Sequence, residues 1–126
     1  MKKNKKNNNI THKLVSLIIP VYNEEDNVDH FYAIFLNFLK NTKFVKNIEV
    51  IFIDDGSTDL TLKKINDIVE KDSRIKLISF TKNQGVNAAF SAGLKFSLGD
   101  CMIFLDVDDQ YPISILDDFF EKWSNG

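Results

Sequence analysis

Short, almost continuous apolar runs alternate along this chain with stretches whose apolar residues recur every three or four positions. The runs are Leu14-Val15-Ser16-Leu17-Ile18-Ile19, residues 48–53, Ile75–Phe80 and residues 101–105. Their length and their lack of in-and-out alternation suit strands buried on both faces, the first of them ended by Pro20. Between them, Val28, Phe31, Tyr32, Phe35, Leu36 and Leu39 mark an amphipathic helix, as do Leu62, Ile65, Ile68 and Val69. Ala88, Ala89, Ala92 and Phe96 define a third helix, and Ile113, Leu116, Phe119 and Phe120 predict a short fourth. Ser57, Thr58 or Asp59 is available to cap the second helix, and Gly99 to close the third. The order β-α-β-α-β-α-β-α with short connections predicts an α/β fold, a parallel sheet flanked by helices on both sides with right-handed crossovers. In such sheets ligands bind beyond the C-terminal ends of the strands.

Composition bounds the rest. With 126 residues, 44% hydrophobic and 27% charged, the chain has the balance of one soluble globular domain whose core needs no staples. There is no internal repeat and no sign of a second domain. A lone Cys101 excludes an intramolecular disulfide and a Cys-rich metal site, and a free thiol suits a reducing, cytoplasmic setting. No apolar stretch approaches the roughly 18–20 residues that a bilayer span needs, and no apolar segment follows the basic start as a secretory signal would require. Of the 16 Lys and Arg, Lys2, Lys3, Lys5, Lys6 and Lys13 stand in the first 13 residues; the 11 that follow face 18 Asp and Glu, a net of −7. Residues 1–13 are therefore expected to be a disordered basic tail, and 14–126 a folded, acidic body that does not bind nucleic acid. Clustered lysines gain about 1 kcal/mol each near anionic lipid, which would give peripheral contact with a membrane; a merely solvated leader is the simpler reading.

The predicted strand ends carry the chemistry. They hold Pro20-Val21-Tyr22-Asn23-Glu24-Glu25, Asp54-Asp55-Gly56-Ser57-Thr58-Asp59, Thr81-Lys82-Asn83-Gln84-Gly85 and Asp106-Val107-Asp108-Asp109-Gln110. Carboxylates crowd three of the four ends, where each close pair costs about 4 kcal/mol at an effective dielectric near 20. A bound cation relieves that repulsion. Asp106 and Asp108, with Asp109 and Gln110 adjacent, offer hard oxygens suited to Mg²⁺ or Mn²⁺. The plain alternative is an acidic loop that caps the last helix. One of Asp54 and Asp55 is expected to cap the turn, leaving the other to accept a hydrogen bond from a ring imide N–H, as uracil or guanine offers. Tyr22 suits an aromatic wall beside Pro20, and Glu24 a further acceptor; they equally suit the core and a first helical turn. Asn83-Gln84-Gly85 either presents backbone N–H groups to an anion or forms an ordinary turn.

Taken together and in this order, Val15-Ser16-Leu17-Ile18-Ile19-Pro20-Val21-Tyr22-Asn23-Glu24, Ile53-Asp54-Asp55-Gly56-Ser57-Thr58-Asp59, Asn83-Gln84-Gly85 with Ala88-Ala89 and Ala92-Gly93, and Gly99-Asp100 leading to Asp106-Val107-Asp108-Asp109-Gln110 resemble the family 2 glycosyltransferases of the GT-A fold. The Asp-x-Asp-x-Gln form, followed by Pro112, is most similar to the polyprenyl-phosphate branch that includes dolichyl-phosphate mannose synthase-like enzymes. The resemblance implies that Pro20, Tyr22, Glu24, Ile53 and Asp55 hold the nucleoside of a UDP- or GDP-linked sugar. It implies that Asp106 and Asp108 bind Mg²⁺ or Mn²⁺ with Gln110 as a third ligand, and that Val107 meets the nucleotide through its backbone. It also implies an inverting displacement in which a glycan hydroxyl or a lipid phosphate attacks the anomeric carbon, at the cytoplasmic face of a membrane. The motifs present belong to the donor side; the family's acceptor side and its catalytic base are not among them. These residues alone are expected to bind a donor without transferring it, and the sheet's last strand to leave an apolar edge open to self-association.

Three other classes fit less well. A receiver domain wants its acidic pair after the first strand, whereas here the pair follows the second. Residues 103–108 resemble the nucleophile loop of haloacid-dehalogenase-like phosphatases, but that loop opens its fold and this one comes late. A non-catalytic domain that binds a sugar nucleotide or a partner remains the alternative to an enzyme, and turnover with a supplied acceptor separates the two.

Overall fold

The computed structural model describes residues 13–43, 47–108 and 115–124. In chain order these form β1 (Leu14–Val21), α1 (Glu25–Asn41), β2 (Asn47–Asp55), α2 (Thr61–Lys71), β3 (Ile75–Phe80), α3 (Val86–Phe96), β4 (Cys101–Phe104) and α4 (Ile115–Ser124). The strands make one parallel sheet in the order β3-β2-β1-β4. The chain thus winds from β1 outward to β3, then crosses back to place β4 on the other side of β1. Between β1 and β4 the winding reverses, and that is where open α/β sheets form their binding crevice.

Strict alternation assigns each strand residue to a face. Leu17, Ile19, Val50 and Phe52 point to one side, where Phe31, Phe35 and Phe38 of α1, Ile65 and Ile68 of α2, and Leu116 and Phe120 of α4 cover them. Ile18, Ile51 and Ile53 point to the other side, packed by Ala89 of α3 with Ile78, Phe80 and Ala92 around it. Fully burying a side chain such as Phe35 or Phe52 contributes about 1.5–3 kcal/mol, so the first face supplies most of the apolar stabilisation. On the second face α3 is the sole helical cover among the described residues. Met102 and Phe104 of the edge strand β4 stay exposed there, although Phe90 meets the Phe104 ring edge-on at 4.5 Å. No helix of the described residues is long and apolar enough to cross a membrane.

Three local expectations are corrected. Pro20 does not end the first strand: β1 runs on to Val21, with Pro20 paired to Ile53. β4 pairs only with Val15 through Ile18, so at Pro20 that edge asks for no N–H donor and a proline is tolerated. Gly99 does not close the third helix. α3 ends at Phe96 with Ser97 extended and its N–H on the Gly93 carbonyl, while Gly99 lies against Ser16. Phe96 itself is more than half exposed, and Gly93 takes its place on the buried face. The second helix is indeed served by Asp59, whose carboxylate accepts the Thr61 N–H at 2.9 Å. Of the basic tail, residues 1–12 lie outside the described residues, and Lys13 is exposed.

Candidate functional site

At the winding reversal an open cleft of about 200 Å³ is lined by Pro20, Val21, Tyr22, Asp55, Val86, Ala89 and Asp106. Its residues come from the C-terminal ends of β1 and β2, the start of α3 and the residues just past β4. Pro20, Tyr22, Asp55 and Asp106, expected as site residues, are thereby brought together. Val21, Val86 and Ala89 were not singled out for the site; they are the small apolar floor and wall that short β-strand and helix residues supply. Tyr22 is 45% exposed, which removes the core reading of its ring and leaves it at the mouth of the cleft.

The two adjacent aspartates divide as the pleat requires. Asp54 faces the α1 and α2 side, where it accepts the Ser57 N–H at 3.3 Å and the Ser79 hydroxyl at 3.4 Å, and so caps the turn. Asp55 faces the α3 side and accepts the Gln84 N–H at 2.6 Å and the Gly85 N–H at 3.0 Å. The anion that Asn83-Gln84-Gly85 presents its N–H groups to is therefore the chain's own carboxylate. A carboxylate has about four lone-pair sites, so Asp55 keeps acceptor capacity toward the cleft. Gly56 lets this turn close: at φ +75°, an added Cβ would stand 2.5 Å from the Asn83 nitrogen.

A second polar joint holds the cleft's rim. Asn23 adopts φ 52°, and its Oδ1 accepts the Thr58 N–H at 2.8 Å and the Asp59 N–H at 3.3 Å. Its own N–H donates to Ser57 Oγ at 2.9 Å, and the Glu24 N–H donates to Thr61 Oγ1 at 2.8 Å. The loop carrying Tyr22 and the loop after β2 thus behave as one piece. The Glu24 carboxylate accepts from Asn27 Nδ2 at 2.7 Å, which sets it on the first turn of α1 and outside the cleft lining. Ile53 is fully buried in the α3-side core beneath the cleft.

Past β4, Val107 buries its side chain in the main core, and its neighbours Asp106 and Asp108 are held at the surface. Neither carboxylate has a hydrogen-bond or ion-pair partner among the described residues. Gln110 lies outside the described residues, and among those described no group of three or more His, Cys, Asp or Glu side chains is placed to hold a metal ion. The described part of the expected ligand set is thus the Asp106–Asp108 pair.

Known proteins resemble this chain along most of its length. Residues 16–126 match the family model described as "Glycosyl transferase family 2". A "Prophage bactoprenol glucosyl transferase homolog" of Escherichia coli (strain K12) is 38% identical over 112 residues, covering 89% of this chain and 36% of that protein. The chain spans about a third of the length of the curated relatives it matches. Among solved structures, the mannosyltransferase PcManGT from Pyrobaculum calidifontis, determined with GDP-Man and Mn²⁺, superimposes with a TM-score of 0.70 at 24% identity. That match covers 86% of this chain and 31% of the mannosyltransferase and shows the shared fold. S. aureus TarS 1–349 in complex with UDP gives a TM-score of 0.65 at 31% identity, over 83% of this chain and 30% of TarS. With the parallel sheet, the cleft at its winding reversal and the motifs in their expected order, these matches establish that the chain belongs to glycosyl transferase family 2 and carries the N-terminal part of its GT-A fold.

Proposed function

We propose that this domain binds the donor of an inverting glycosyl transfer, in which a nucleoside-diphosphate sugar gives its sugar to a polyprenyl phosphate. The observation that carries the reading is the cleft itself, where Tyr22, Asp55 and Asp106 arrive from three different strand ends. About 200 Å³ is less than the roughly 300–1,000 Å³ typical of sites that enclose a whole drug-sized ligand, and it suits a base and ribose. In this reading Pro20 and Tyr22 wall the base and Asp55 accepts its imide N–H. Ile53 supports the floor from below, Glu24 fixes the loop that carries Tyr22, and the Val107 backbone passes the diphosphate.

The donor set past β4 fits a hard divalent cation: two exposed carboxylates with no hydrogen-bond or ion-pair partner among the described residues, one of them lining the cleft. Asp106 and Asp108, with Gln110, would hold Mg²⁺ or Mn²⁺, and such an ion supplies charge neutralisation for the departing diphosphate. The chain's own groups orient the nucleoside and keep its diphosphate at the mouth of the cleft. A phosphate oxygen of the acceptor attacks the anomeric carbon, the bond to the diphosphate breaks, and the nucleoside diphosphate leaves with both electrons. An ionised phosphate needs no strong general base, so positioning and electrostatics carry the rate. The lipid-linked acceptor is supported by the names of relatives such as the bactoprenol glucosyl transferase of Shigella phage SfV; in this reading the domain works at the cytoplasmic face of a membrane.

Amide chemical shifts test this reading residue by residue. UDP or GDP with Mg²⁺ is expected to move the resonances of Tyr22, Asp55, Val86 and Asp106, and Mn²⁺ to broaden those of Asp106 to Asp108 first. Shifts confined to another surface would contradict it.

A further inference from the structure

At the opposite end of the sheet from the cleft, a polar cluster sits where an apolar core would be expected. Ser16 is fully buried and Glu49 is 3% exposed. The Ser16 hydroxyl donates to Glu49 Oε2 and accepts the Gly99 N–H at 2.9 Å. The same Oε2 accepts the Leu98 N–H at 2.7 Å, and Oε1 accepts from Lys76 Nζ at 2.6 Å. One residue on, the Asp100 N–H donates to the Leu14 carbonyl at 2.7 Å, and the Asp100 carboxylate accepts the Leu14 N–H at 2.9 Å. Gly99 permits the approach: an added Cβ would stand 2.3 Å from Ser16 Oγ and 2.8 Å from Ser16 N. Burial pushes Glu49 up, but the bonds from Lys76, Ser16 and Leu98 outweigh it and keep its carboxyl below the ordinary glutamate range.

β4 needs such a clasp. It has four residues, pairs with β1 alone among the described residues, and ends two residues before Asp106. Its faces do not choose a register by themselves, because Met102 and Phe104 on one side and Cys101, Ile103 and Leu105 on the other are all apolar. A strand with one polar and one apolar face is locked by its pattern; one that is apolar on both faces is not. A slip of one residue would carry Asp106 and Asp108 about 3.3 Å along the sheet and turn them to the other face.

We propose that Ser16 and Glu49, with the backbone of Leu98 and Gly99, set the register of β4 and are thereby positioning residues for the Asp106–Asp108 pair at its far end. The functional part of this rests on the donor-site reading above; the structural part does not. Two variants test it, Ser16→Ala and Glu49→Gln, both close to isosteric so that the fold is retained. Hydrogen exchange requires no ligand: amides of residues 101–105 are expected to exchange at least tenfold faster in the variants while those of β2 and β3 keep their protection. Nucleotide titration then separates positioning from general damage. Affinity for UDP or GDP without metal is expected to be unchanged, and the gain brought by Mn²⁺ to fall at least tenfold. β4 amides that exchange as in the parent overturn the clasp. Equal losses with and without Mn²⁺ overturn the positioning role. If the parent chain itself shows no gain from Mn²⁺, the donor-site reading fails and the functional part of this inference with it, while the exchange result still decides the clasp.

Discussion

Asp54 and Asp55 are adjacent and chemically identical, yet the pleat sends one to a turn and the other to the cleft. Their division of labour was legible in the residues, and the family resemblance pointed to Asp55 for the cleft; the physical reason is the alternation, which puts Asp55 on the α3 side with Ile53. Asn23 was not legible as a joint, because its partners Ser57, Thr58 and Asp59 lie 34 to 36 residues away. It makes two contributions that substitution can separate. Asn23→Gly keeps the left-handed backbone and loses the side-chain bonds, whereas Asn23→Ala loses both. Urea unfolding is expected to rank the parent above the glycine variant and that above the alanine variant, with a total span of about 1–3 kcal/mol. An alanine variant as stable as the parent would show the joint to be idle. At Asp108 the expectation is different: the side chain is exposed, so Asp108→Ala is expected to leave the melting temperature within about 2 °C while abolishing the Mn²⁺-dependent part of nucleotide binding. Unchanged Mn²⁺ dependence in that variant would remove the aspartate from the metal site.

Elements are tied by a few long-range polar contacts as well as by the core. Asp72, buried between α2 and β3, takes a forked pair of bonds from Arg74 at 2.9 and 2.8 Å and the Tyr32 hydroxyl of α1 at 2.9 Å. The Arg74 side chain drives its carboxyl down to about 2; burial opposes this, and the Arg74 N–H and Tyr32 assist it. The folded value lies below that of an unfolded aspartate, so the stabilisation is complete above pH about 4 and drains away as pH falls toward about 2. Because Arg74 is partly exposed, screening limits the effect to about 1–2 kcal/mol. In Asp72→Asn that slice is absent. The stability gap between parent and variant, followed by chemical denaturation, is expected to be flat above pH about 5 and to close below about 4; a gap that persists to pH about 2 would contradict the assignment. The element pattern was the most legible level of this chain, since short continuous apolar runs and a period of 3.6 announce buried strands and helices directly. What periodicity misses is the ends. Pro20 inside β1 and Phe96 outside the core depend on which neighbour each strand edge or helix face meets, and that is tertiary information.

At the scale of the whole molecule, the two faces are unequally covered and the cleft lies at the side where winding reverses. The sheet order explains why Asp55 and Asp106, far apart in sequence, line one cleft. The wider gathering of carboxylates expected from the strand ends is not found among the described residues: Asp54 serves its turn and Glu24 lies outside the lining. The clasp at the far end was invisible because Ser16 and Glu49 each occupy a strand position that reads as ordinary, and only the pairing of β1 with β2 in register Ser16↔Glu49 puts them side by side. The acidic loop past β4 is legible by motif, but Gln110, proposed above as a third ligand, falls outside the described residues. In the proposed function the cleft and the Asp106–Asp108 pair act as one unit in binding the donor. The direct test is calorimetric titration of the 126-residue chain with UDP and with GDP, each with and without Mn²⁺. Binding of one nucleotide, strengthened by Mn²⁺, is the predicted result and also identifies the base. Failure of both to bind, with the fold intact, would contradict the assignment of this cleft as a donor site.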